Sequence, residues 1–75
     1  MRNQNRITFN PKILGGKPII RGTRISVEFI LELLASGMTE TEILKEYPHL
    51  KKADIRAVLE YAAHTIKREE IVMVR

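Results

Sequence analysis

Seventy-five residues without a cysteine make one small domain with a thin core, and no disulfide is available to staple it. Hydrophobic residues at 44% and charged residues at 29% place the chain outside the disordered regime. No apolar run approaches the roughly 20 residues that span a bilayer, and residues 1–10 carry no signal-type stretch, so the cytoplasm is the expected location.

A core this small gains stability by pairing with another chain, so a homodimer, a hetero-complex or both are expected. The formal net charge of +4 is unevenly spread. Residues 1–25 hold Arg2, Arg6, Lys12, Lys17, Arg21 and Arg24 and no acid, whereas residues 26–75 carry a net −2. A positive arm on a mildly acidic body points to an anionic partner, with nucleic acid the first candidate.

In chain order, Arg6-Ile7-Thr8-Phe9 alternates as a half-buried strand does, and Asn10-Pro11 ends it. Gly15-Gly16-Lys17-Pro18 is a turn cluster. It does not match a phosphate-binding loop, because Pro11 and Pro18 occupy the places where that motif needs glycine and Ser/Thr. Ile19-Ile20-Arg21 resumes an extended run, Gly22 interrupts it, and Thr23-Arg24-Ile25 is expected as the second limb of a short hairpin.

From Ser26 the period changes. Ser26 is an N-cap, Val27, Ile30, Leu31 and Leu34 follow at helical spacing, and Gly37 is a C-terminal stop, which predicts a helix over 27–36. Phe29 and Leu33 give that helix apolar surface on a second side. Thr39-Glu40-Thr41-Glu42 matches a capping box ahead of Ile43, Leu44 and Tyr47, and Pro48 closes the second helix. A third helix after Leu50 places Ile55, Val58, Leu59, Ala62 and Ile66 on one stripe. Residues 67–75 form a tail in which Ile71-Val72-Met73-Val74 reads as a short C-terminal strand. The expected fold is mainly α: a three-helix, helix-turn-helix core (26–66) behind a basic N-terminal β hairpin or arm (1–25).

In a helix-turn-helix the second helix enters the major groove, with base contacts near its N-terminus. That region here offers His49, Lys51, Lys52 and Arg56, with Lys52 and Arg56 one turn apart on one face. Arg56 suits a guanine edge, and Lys51 and Lys52 suit phosphates. Glu40, Glu42 and Glu46 on the second helix limit the footprint there. Neither His49 nor His64 has a metal-ligand pattern around it, and Glu28 and Glu32 read as solvated charge rather than a carboxylate pair. No catalytic residue, cofactor, metal or small-molecule substrate is expected.

The segment from Gly15 to Val27, with Leu33-Leu34-Ala35-Ser36-Gly37-Met38-Thr39 and Tyr47-Pro48-His49-Leu50, closely resembles the small bacterial domain-of-unknown-function family 433. The resemblance covers about residues 10–63. It implies a dimeric antitoxin of VapB type, which would neutralise a PIN-related nuclease toxin and repress the shared operon by binding operator DNA. Two departures stand out. Lys51 takes a position where such proteins often cap the third helix with Thr or Ser, at a cost on the order of 1 kcal/mol unless another group serves. The tail is also short, so toxin capture would use Ile71, Val72, Met73 and Val74 as an added strand, or the helix surfaces. Arg21 and Arg24 have two open readings: contact with DNA phosphates or a partner's acids, or a dimer strand in which they pair with Glu28 or Glu32. A protein-interaction module that has lost DNA binding and a stand-alone regulator are the alternatives in function.

Overall fold

The structure is a computed structural model that describes residues 4–73, with side chains over residues 5–68. Two short strands, β1 (Ile7–Phe9) and β2 (Pro18–Ile20), precede three helices, α1 (Val27–Ala35), α2 (Glu40–Glu46) and α3 (Lys52–Met73). The fold is mainly α with an N-terminal hairpin, as the periodicity requires.

The hairpin pairs β1 with β2 in antiparallel register, Ile7 opposite Ile20 and Phe9 opposite Pro18. The limb expected at residues 23–25 forms a tight turn instead of a full strand. Ile20 N–H donates to the Ile25 carbonyl, and Ile19 bridges to Ser26. The Thr23 hydroxyl donates to the Ile20 carbonyl and accepts from Ile25 N–H, so a side chain satisfies groups that a longer ladder would have paired.

Each helix end has an identifiable cause. The Ser26 hydroxyl accepts from Phe29 N–H and starts α1. At its other end Gly37 N–H bonds the Leu34 carbonyl and Met38 N–H bonds the Leu33 carbonyl, with Gly37 at φ +102°. That pair of bonds is a Schellman stop, and Leu33 and Met38, the residues it joins, both pack half-buried against the core. Thr39 and Glu42 complete the predicted capping box on α2.

One core joins these elements. Ile20 from β2, Val27 and Ile30 from α1, Ile43 from α2, Leu50 from the link, and Ile55 and Val58 from α3 are all buried. Leu31, Leu34, Leu44 and Tyr47 close over them half-buried.

Two expectations about α3 are corrected. Leu59 and Ile66 are exposed, because the buried stripe runs through Ile55 and Val58 to half-buried Tyr61 and Ala62, and no element covers the Leu59 side. The helix also continues through Ile71–Met73 where a C-terminal strand was expected, while Val74 lies outside the described residues. Residues 62–70 contain neither Gly nor Pro and are rich in Ala, Lys, Arg and Glu, so nothing in their composition stops the helix. Among the described residues no helix is long and apolar enough to cross a membrane.

Candidate functional site

The link between α2 and α3, residues 47–51, is short because Pro48 bars further helix and Leu50 N–H folds back onto the Tyr47 carbonyl. Leu50 is then buried, which ties the link to the core. His49, Lys51, Lys52 and Arg56 are left pointing outward, all exposed.

Lys51 occupies the N-cap position of α3 without a side chain suited to it. Asp54, three residues on, supplies the missing group: its Oδ2 accepts Lys51 N–H at 2.9 Å, half of a capping box. Its Oδ1 accepts from Arg6 at 3.0 Å. Asp54 is 6% exposed, so the first acid of α3 is turned inward and neutralised. The outward face of the first two turns is therefore purely cationic. Lys51, Lys52 and Arg56 form no ion pair among the described residues.

Arg6 reaches Asp54 from the start of the hairpin, and the same hairpin carries Arg21 to this end of the molecule. Arg21 N–H donates to the Arg6 carbonyl, and its guanidinium donates to the Asn5 carbonyl. A chain of hydrogen bonds thus links Arg21 through residues 5 and 6 to the N-terminus of α3. Arg24 is placed elsewhere. It lines a shallow groove along α1 with Leu14, Lys17, Ile25, Glu28, Phe29 and Glu32. Within that groove Lys17 pairs with Glu28 at 3.0 Å.

Of the residues expected to bind a partner, Ile71, Val72 and Met73 lie on the helical backbone of α3, and Val74 is outside the described residues. The buried part of α3 ends at Val58, residues 60–62 are half-buried, and residues 63–68 are exposed.

Sequence reasoning missed the Arg6–Asp54 pair, whose members are 48 residues apart. The only local signal was an acid three residues after a poor N-cap. The tilted ring contact of Phe9 with Tyr61, centroids 6.3 Å apart, was equally invisible, since it joins β1 to the middle of α3.

A family model described as "Protein of unknown function (DUF433)" matches residues 7–62. The chain belongs to this family. It is 38% identical over 56 residues to an uncharacterized protein of Sinorhizobium fredii, a match covering 75% of the chain. That match spans only 25% of the relative, which is a much longer protein. The fold is also that of a DUF433 member from Anabaena variabilis solved by crystallography. That match has a TM-score of 0.80 and 29% identity, and it covers 96% of this chain and 71% of the other. The family-model match ends at Ala62, whereas the match to the solved member covers nearly the whole chain.

Proposed function

We propose that this DUF433 protein is an antitoxin-like DNA-binding module that grips operator DNA with the first turns of α3 and holds a partner toxin through exposed apolar side chains farther along that helix. The observation that carries the reading is the inward turn of Asp54. It leaves Lys51, Lys52 and Arg56 as an acid-free face at the start of a helix that follows α2 across a short link. Positive charge at a helix N-terminus opposes the helix dipole, so such a face is maintained against a local electrostatic cost that phosphate would relieve. Arg56 is the base reader, Lys51 and Lys52 are phosphate contacts, and Arg21 and His49 flank them. The acids Glu40, Glu42 and Glu46 keep the footprint narrow on the α2 side.

Partner capture rests on Leu59 and Ile66, large apolar side chains 49% and 54% exposed on α3. A helix presenting spaced apolar anchors suits insertion into a partner's groove, which replaces the strand addition expected from the sequence. The proposed partner is a PIN-related nuclease, and the expected compartment is the cytoplasm.

The test selects duplexes from a random library on the wild-type chain and measures the enriched duplex by fluorescence anisotropy. Arg56→Ala should weaken binding roughly ten-fold or more and relax sequence preference at one position. Failure to enrich any duplex overturns the DNA reading. The exposed apolar helix then favours a protein-interaction module, which purification of the tagged protein from its host with mass spectrometry of its companions would detect.

A further inference from the structure

We infer that the groove along the outer face of α1 is a two-fold self-association surface, in which Arg24 of one copy meets Glu32 of the other across an apolar centre made by Phe29, Ile25 and Leu14. The inference is independent of whether α3 binds DNA.

The outer face of α1 is built at helical spacing. Glu28, Phe29 and Glu32 fall on one side, with half-buried Ile25 lining the groove just ahead of the N-cap, while Val27 and Ile30 turn into the core. Phe29 is 36% exposed, and its ring lies nearly perpendicular to that of Tyr47, with centroids 5.8 Å apart. Leu14 stands on the opposite lip, 47% exposed. It is held at φ +50°, a conformation leucine rarely adopts, and Gly15 and Gly16 follow it in the same region of backbone space. A strained backbone thus holds a bare leucine out beside a half-bare phenylalanine.

The charges around this apolar patch decide what covers it. Lys17 and Glu28 neutralise each other within one chain. Arg24 and Glu32 do not: each lines the groove, each is exposed, and neither has a partner among the described residues. Arg24 precedes the N-cap Ser26, and Glu32 lies in the last turn of α1. Each therefore sits at the end of α1 where the helix dipole opposes its charge. Packing a second α1 antiparallel across a two-fold axis near Phe29 corrects both at once. Arg24 then faces the partner's Glu32 and the negative end of the partner's α1, and Glu32 faces the partner's Arg24 and its positive end. An isologous interface requires a self-complementary patch, and a cation and an anion at opposite ends of one apolar stripe satisfy that requirement.

The test is a charge swap read by sedimentation velocity, from about 1 μM to on the order of 100 μM full-length protein, where dimer population follows mass action. The wild-type chain should sediment as a dimer at the upper end. Arg24→Glu and Glu32→Arg should each raise the dimer Kd at least about ten-fold by placing like charges opposite each other. The double variant Arg24→Glu/Glu32→Arg should return to within about three-fold of wild type, since it rebuilds the pair with its signs exchanged. Both side chains are exposed, so all three variants should keep the wild-type far-UV circular dichroism. A wild-type chain that stays monomeric throughout, or a double variant no better than the singles, overturns the inference and leaves the groove to a different partner.

Discussion

Removing the Asp54 carboxylate should cost about 2 kcal/mol. The estimate starts from two acceptors at one buried side chain, 8% exposed, on Arg6 at 3.0 Å and Lys51 N–H at 2.9 Å. Losing the bond that completes the helix start costs about 1 kcal/mol. The charge-assisted bond to Arg6 would be worth about 1.5–3 kcal/mol if fully buried. The Arg6 side chain is 40% exposed and regains water when the pair breaks, so about 1 kcal/mol is the appropriate share. For a domain of this size Asp54→Ala should lower Tm by roughly 8–16 °C. Asp54→Asn keeps an acceptor for Lys51 and should recover about half of that loss. The decisive assay is a double-mutant cycle of Arg6→Ala and Asp54→Ala by urea unfolding, at one low protein concentration so that association does not contribute. A coupling of about 1 kcal/mol is expected. A coupling below about 0.3 kcal/mol would refute the view that this pair fastens the hairpin to α3.

Thr39→Ala removes the hydroxyl half of the α2 capping box and should cost about 1 kcal/mol in thermal or urea unfolding. Gly37→Ala meets no atom within 4 Å, so its expected loss of roughly 1–2 kcal/mol is purely the backbone strain of φ +102°. Ile30→Ala, at a residue with no exposed surface, should cost about 2–5 kcal/mol. Leu59→Lys, one residue beyond buried Val58, should stay within about 0.5 kcal/mol of wild type by the same measurement.

Helix starts and stops were legible because their chemistry is local. Ser26, Gly37, Thr39 with Glu42, and Pro48 each act over at most five residues, and each performs the role its type and spacing imply. The α1 stripe was legible for the same reason, since Val27 and Ile30 recur at the helical period. What stayed hidden depended on distance or on the absence of a neighbour. The partner of β2 is β1, across an eight-residue connection, although residues 23–25 looked equally suitable and were nearer. Leu59 fits the apolar stripe by spacing as well as Ala62 does, and only the lack of a covering element exposes it. The run Ile71–Val74 has strand-like composition, but β propensity acts through a pairing neighbour, whereas the helix reaching it from residue 52 needs none. The candidate DNA residues were legible as types; the burial of Asp54 that clears acid from their midst was not.

The same internal pairing constrains how strongly DNA binding can depend on salt. The first 25 residues hold six basic side chains, which suggests a cationic arm laid along the backbone of the duplex. The structure spends part of that charge within the fold, Arg6 on Asp54 and Lys17 on Glu28, and places Arg24, unpaired among the described residues, beside α1. The cations left at the α3 end are Lys51, Lys52, Arg56 and Arg21, about four phosphate contacts for each protomer engaged. Counterion release then predicts a slope of log Kobs against log salt near −3.6 per protomer, about a hundred-fold loss of affinity from 50 to 200 mM salt. An arm that opened to add its remaining cations would roughly double that slope. A measured value near −8 would therefore mean that Arg6 leaves Asp54 on binding, and that the hairpin is a hinged clamp. A value near −4 keeps the hairpin as a fixed brace, with recognition confined to the first turns of α3.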